Sequence, residues 1–366
     1  MTELNWHYIA NLSGLSDLFD GLEPSFISSL TVLDIVRNKK IDERLVKLVV
    51  LLLANGVISK KELDSAQVNA VVKYLLNDGI LREDGGLLST RGLVLNKYRG
   101  VWFFVEQYSV CSQAYFGPDS IALAKRLVPS SGKKALDVCS GTGIQSLILA
   151  KCGMQVTSIE LNRNVEHIYE FNAKINNVSD AVKLVIKEAG SYLASCSEKF
   201  DYVVSNPPLV PIPKKIPYPL TGDGGLYGID ITLKIINSLP KILNIWGEAL
   251  ILGLTPSYIP TLYEEHPLIK KLKRIGLTCI ISILSVEELS FTSDYIQSVS
   301  VSSYRYDSTQ FISGADCSNQ LYKAFKDENL KYMVQFTLRI INDKNTSNIL
   351  IYDHSGKSKQ TRLWMI

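Results

Sequence analysis

Between about Gly132 and Gly253, short apolar runs alternate with helical segments, and no other feature of the chain limits its fold as much. Residues 134–139, 155–160, 181–186, 200–205 and 248–253 read as strands, while 145–151, 164–175 and 229–245 read as helices. Alternation of this kind predicts an α/β fold, a parallel sheet covered by helices on both faces. Ligands then bind at the carboxyl ends of the strands. After Pro260, Leu268, Ile269, Leu272 and Ile275 form the apolar face of a further helix, and Lys270, Lys271, Lys273 and Arg274 its solvated face. Residues 279–284 and 332–341 read as two more strands, and the Ser/Thr/Tyr-rich stretch between them, near 288–330, as an insertion. Residues 349–353 and 361–366 have strand texture but no evident place.

The part before about residue 110 has a different texture. Leu45, Leu48, Val49 and Leu52 recur at helical spacing up to Asn55-Gly56. Ser59 can cap a short helix at 60–63, and Val68, Val71, Val72, Leu75 and Leu76 share a face of a third helix that stops at Gly79. Residues 80–89, with Glu83-Asp84-Gly85-Gly86 at the turn, read as a hairpin. Three helices and a hairpin are the order of a winged helix. At 366 residues the chain is long enough for two domains of roughly 100–200 residues each. The expected division is 1–110, winged-helix-like, and 111–366. The third helix offers Gln67, Asn69, Lys73, Asn77 and Asp78, with almost no arginine. Phosphate neutralisation dominates nucleic-acid affinity. The segment therefore reads as an accessory or lid module in preference to a DNA or RNA reader.

Bulk properties exclude little. A net charge of about +3 argues for no particular partner. The apolar run 45–57, interrupted by Lys47, Asn55 and Gly56, is shorter than the ~20 residues of a membrane span. The chain begins Met-Thr-Glu-Leu-Asn, without a signal-peptide pattern. Six cysteines, none in a Cys-x-x-Cys pair or near a histidine at ligand spacing, read as reduced thiols of a cytoplasmic protein without a metal site.

The chemistry concentrates in three places. Ala135-Leu136-Asp137-Val138-Cys139-Ser140-Gly141-Thr142-Gly143-Ile144 is an apolar strand, a turn of small residues and a helix start. Glycine lets backbone approach a ligand, and free amides at the helix start favour an anionic or polar group. Glu160 ends the next strand about twenty residues on, where a carboxylate can accept both hydroxyls of a ribose. NAD and S-adenosyl-L-methionine both fit to this point. The third place is Asn206-Pro207-Pro208, at the end of the fourth strand. The prolines fix the backbone. The Asn206 side-chain oxygen and the Pro207 carbonyl can then accept two hydrogens from one amino group, aiming its lone pair at a methyl donor. A dehydrogenase needs no such clamp.

Asp137 to Gly143, Glu160 and Asn206-Pro207-Pro208, in this order and spacing, resemble the Asn-Pro-Pro class of Rossmann-like S-adenosylmethionine-dependent N-methyltransferases, which includes the release-factor glutamine methyltransferases. The resemblance spans roughly residues 110 to 255. Tyr115-Phe116-Gly117-Pro118-Asp119-Ser120 is similar to the family segment that closes over the cofactor's methionine end, and residues 222–228 to its glycine-rich segment. The resemblance implies cofactor binding by Tyr115, Asp137, Cys139, Ser140, Gly141, Gly143, Glu160, Leu161, Glu188, Ala189 and Asn206, with Glu188 near the adenine. It implies catalysis at Asn206, Pro207 and Pro208. Two residues depart from the pattern: Cys139 stands for a glycine, and Leu209 for the aromatic that stacks on planar acceptors. Phe116, Leu209, Tyr218 and Tyr227 are the candidate acceptor-side residues.

The expected reaction is direct in-line displacement without a covalent intermediate. His167 and His266 read as exposed or structural, and no general base is evident. The expected acceptor is an amide, guanidino or amino nitrogen of a protein side chain or small molecule. The alternative is an RNA or DNA base, for which Lys214, Lys215 and 270–274 are the basic candidates. A third reading is a catalytically degenerate cofactor-binding module.

Overall fold

The computed structural model describes residues 5–20, 43–63, 66–107, 109, 112–113, 115–343 and 348–356. The strand texture at 361–366 lies outside the described residues.

The front of the chain forms helices α1 (Trp6–Leu12), α2 (Leu15–Asp20), α3 (Glu43–Leu53) and α4 (Ala66–Asn77). Strand β1 (Ile58–Ser59) and a short 3-10 turn at Lys60–Leu63 lie between α3 and α4. Strands β2 (Arg82–Asp84) and β3 (Leu87–Ser89) follow as an antiparallel hairpin, with β1 paired to the other edge of β3. The two turn residues, Gly85 and Gly86, have φ of +55° and +82°, which the twist of a two-residue hairpin demands.

A second hairpin, β4 (Leu93–Tyr98) and β5 (Val101–Glu106), joins this part to the rest. Period-2 alternation lets β5 serve two cores. Val101, Phe103 and Val105 face the cluster around Leu123 and Leu147, whereas Trp102 and Phe104 face the one holding Trp6, Leu48 and Val71.

The large sheet is built from β6 (Lys134–Val138), β7 (Gln155–Glu160), β8 (Val182–Ile186), β9 (Phe200–Ser205), β10 (Leu243–Ser257), β11 (Thr278–Glu288), β12 (Tyr332–Ile341) and β13 (Ile349–Asp353). Across the sheet the order is β13-β11-β12-β10-β9-β6-β7-β8. Strands β8, β7, β6, β9 and β10 are mutually parallel, and β12 is antiparallel to both neighbours. The observed architecture is the expected α/β, doubly wound sheet. Helices α5 (Pro118–Arg126), α6 (Ile144–Lys151), α7 (Glu166–Ile175), α8 (Ala189–Ser195), α9 (Asp230–Ile242) and α10 (Pro267–Leu272) belong to this part of the chain. Helix α9 stops short of the expected residue 245 because Leu243 already pairs with Phe200 of β9. The unplaced run 349–353 is the edge strand β13, parallel to β11. The insertion holds two helices, α11 (Asp294–Tyr306) and α12 (Gly314–Asp327).

Helix α7 binds the front part to the sheet in two ways. Ile168, Phe171 and Ile175 enter the same apolar cluster as Trp6, Trp102 and Phe104. One turn apart, Asn172 on this helix and Asn176 at its C-cap act as a substitute strand for β5. Asn172 accepts from the Phe104 amide (2.7 Å) and donates to its carbonyl (2.9 Å), and Asn176 treats Trp102 in the same way. Asn172 also donates to the Thr142 carbonyl (3.1 Å), inside the glycine-rich turn. The edge of β5 is thereby satisfied without another strand, as buried backbone requires. Asn172→Ala leaves the buried Phe104 amide and carbonyl unpaired. We expect a loss of about 3 kcal/mol in denaturant unfolding, together with weaker S-adenosylhomocysteine binding in calorimetry.

Candidate active site

The parallel strands β6, β7 and β9 deliver their carboxyl ends side by side, and two cavities open there. The first, of about 210 Å³, is lined by Cys139, Ser140, Gly141, Glu160, Leu161, Glu188, Ala189, Asn206 and Pro208, among others. The second, of about 320 Å³, is lined by Asp119, Asn206, Pro207, Leu209, Val210 and Tyr218, with Val299 of α11 on the far side. Tyr115, Asn206 and Thr221 line both.

The turn after β6 is shaped by backbone sterics. Cys139, Gly141 and Gly143 have φ of +62°, +53° and +93°. A Cβ on Gly143 would press into the Tyr169 ring. At Gly141 a Cβ would meet only the Tyr115 carbonyl, at 4.0 Å, so this backbone faces open space. Glu160 clasps the turn: Oε2 accepts from the Gly141 amide (2.8 Å), and Oε1 from Leu161 and Asn162 (both 2.8 Å). The Ser140 hydroxyl is buried without a partner.

The loop after β9 is fixed by the Ser205 hydroxyl, which donates to the Val138 carbonyl of β6 (2.7 Å). The next residue, Asn206, has its amide orientation set from one side. Its Nδ2 donates to Asp119 Oδ2 (2.9 Å) and Ser120 Oγ (3.3 Å), while its buried Oδ1 has no partner. The Tyr115 hydroxyl holds the other Asp119 oxygen (2.9 Å). Gly228 seats the glycine-rich segment against this loop, since a Cβ there would strike the Leu209 and Leu254 carbonyls.

Residues 102–215 match the family described as Methyltransferase small domain. A Methanocaldococcus jannaschii protein, provisionally named a protein N5-glutamine methyltransferase, is 32% identical over 169 residues, which cover 45% of this chain and 80% of the relative. The chain belongs to this methyltransferase family. Two tRNA1(Val) (adenine(37)-N6)-methyltransferases are also similar. The Trichodesmium erythraeum enzyme is 28% identical over 31% of this chain and 48% of its own length. The Glaesserella parasuis enzyme is 33% identical over 27% of this chain and 42% of its own. The chain thus spans less than half the length of these two.

As a member of the family, this methyltransferase uses S-adenosyl-L-methionine for N-methylation. The smaller cavity suits that cofactor, with open backbone at Gly141, an unpartnered Ser140 hydroxyl and the Glu160 carboxylate on one wall. Two expected cofactor residues act from behind that wall. Asp137 is buried under the turn and accepts from the Ser146 amide (3.1 Å) and hydroxyl (2.6 Å), and Gly143 packs on Tyr169. Glu188 lines the cavity, yet its oxygens are engaged by Gly190, Ser191 and Lys234, which hold it down to about 2, the Lys234 bond most of all. Two acceptor candidates are not brought to the site. Phe116 packs edge-on against Phe103, at 5.0 Å between ring centres, and Tyr227 against His266, at 5.5 Å. Both rings are half-buried and pack against the core instead of over the cavity. His167 is exposed, and buried His266, pushed down to about 4 by burial, accepts from the Leu268 amide at the start of α10.

Asp119, which holds the Asn206 amide, is the site contact that the sequence did not single out. Its signal was its place in the segment 115–120. Burial pushes its carboxyl above the usual range. The Cys139 thiol is pushed up as well, by burial and then by Glu160, so it stays protonated and is no nucleophile.

Burial raises the Asp137 carboxyl to about 7. The folded state therefore keeps a proton that the unfolded chain has released, and this group's contribution to stability falls as pH rises from about 4 to about 7. Asp137→Asn keeps an acceptor for Ser146 and removes the titration. Relative to the parent, the variant is expected to gain stability as pH rises from about 4 to about 7, read from paired thermal melts.

Proposed function

We propose that Asn206 Oδ1 and the Pro207 carbonyl receive the two hydrogens of an acceptor nitrogen at the junction of the two cavities. One observation carries this reading. Asp119 and Ser120 accept from Nδ2, which leaves Oδ1 as a buried acceptor with no partner where both cavities meet. When bound, S-adenosylmethionine supplies an electrophilic methyl group on a sulfonium leaving group. The chain aligns the nitrogen and favours the positive charge that develops on it, through two oxygen dipoles. The proton leaves to water after transfer, so no side-chain base is required.

The acceptor proposed is a side-chain amide or amine of a protein or of a small molecule. The similarity to the N5-glutamine methyltransferase supports it. A base amino group of RNA is the second reading, favoured by the two tRNA-modifying relatives. Its basic candidates are partly engaged: Lys271 bonds Asn237 and Lys273 pairs with Glu264. The front part of the chain, 1–110, is proposed to be a winged-helix-like accessory or lid module, held through α7. No helix among the described residues is long and apolar enough to cross a membrane.

Asn206→Ala is expected to retain measurable S-adenosylhomocysteine binding while methyl transfer to a glutamine peptide falls about 10²–10³-fold. Near-parental turnover in that variant would sink the clamp. Transfer to an RNA oligonucleotide whose affinity falls steeply with salt would favour the second reading.

A further inference from the structure

Antiparallel neighbours such as β11 and β12 need only a tight turn between them. Here α11 and α12 intervene, and they are anchored toward the site. Glu287, on β11, accepts from the amides of Asp294 (2.6 Å) and Tyr295 (3.1 Å) at the start of α11. The buried Tyr295 hydroxyl donates to the Pro211 carbonyl, just beyond Asn206-Pro207-Pro208. Its ring packs edge-on against Phe325 of α12, and the Ser300 and Ser318 hydroxyls join the two helices (2.7 Å).

Held in this way, α11 turns Ser298, Val299 and Ser302 onto the larger cavity. Ser298 and Ser302 are one helical turn apart and so share a face. Val299 is buried, Ser302 half-buried, and Ser298 stands at the exposed rim. Leu209 and Tyr218 belong to the same lining. No Lys, Arg, His or Glu is among its described lining residues. Its one carboxylate, Asp119, has both oxygens held by Tyr115 and Asn206. A charged group entering here loses water without gaining a partner.

We infer that α11 is the acceptor-specificity element of this enzyme. Val299 limits the depth of the acceptor, and the Ser298 and Ser302 hydroxyls bond a polar group on it. A wall whose one carboxylate, Asp119, is already engaged restricts the acceptor to an uncharged, hydrogen-bonding moiety. This rests on the reading of Asn206 as the clamp for the acceptor nitrogen.

The test uses the full chain and two probes, acetyl-Gly-Gln-Gly-amide and acetyl-Gly-Arg-Gly-amide, with labelled S-adenosylmethionine. The parent should prefer the glutamine probe by about 100-fold in kcat/KM, since the arginine charge would be buried unpaired. Val299→Trp should lower kcat/KM for the glutamine probe at least about tenfold, with S-adenosylhomocysteine affinity within about twofold of the parent. Ser302→Asp should shift the ratio toward the arginine probe by about tenfold or more. The milder Ser298→Ala/Ser302→Ala pair should raise KM for the glutamine probe with kcat little changed. Variants are compared only where S-adenosylhomocysteine binding shows a folded cofactor site, and the alanine pair stands in if a bulkier change fails to fold. Unchanged selectivity in Val299→Trp and Ser302→Asp, with Asn206→Ala inactive, overturns the role of α11 alone. Transfer to neither probe, or an active Asn206→Ala, overturns the clamp reading and this inference with it.

Discussion

The parallel pairing of β6 with β7 on one side and β9 on the other decides the rest of the site. Parallel neighbours end at the same level, so the residues that follow each strand meet at one edge of the sheet. Gly141, Glu160 and Asn206, far apart in the chain, become wall-mates for that reason alone. The pairing continues past the last ladder bond. Ser205 donates to Val138, and Glu160 accepts from Gly141. Each loop is thus tied to its neighbour before any ligand arrives, and such preorganisation lowers the ordering cost of binding.

Around these loops the protein buries polar side chains that a purely stable design would avoid. Asp137 and Asp119 carry desolvated carboxyls above their ordinary range, and Asn172 is buried in full. Each engages backbone or an amide whose orientation matters: the start of α6, the Asn206 side chain, and the Thr142 carbonyl. Cys139 adds a left-handed backbone without glycine's freedom. Stability is given up at these points in exchange for a fixed geometry.

The two parts outside the sheet differ in what they contribute. The front part shares a continuous apolar cluster with α7 and reaches the cofactor side indirectly, through Asn172 and Thr142. The insertion reaches the larger cavity directly, through Val299 and its neighbouring serines.

The sequence by itself determined the alternating α/β order, the three strand ends that line the cavities and the cofactor class, because these depend on local periodicity and on short motifs whose residues are consecutive. It also placed Asn206 correctly at the end of a strand. Only the tertiary structure decided which expected residues reach the cavities. Phe116 and Tyr227 carry the right chemistry, but their rings are packed against Phe103 and His266. Asp137 sits behind the turn it was expected to line. Asp119 matters only because folding sets α5 against Asn206, a pairing across 87 residues that no local pattern encodes. The insertion is the extreme case. A Ser/Thr/Tyr-rich stretch says nothing of where it packs, and the contact of Tyr295 with Pro211, which turns α11 toward the larger cavity, exists only in three dimensions.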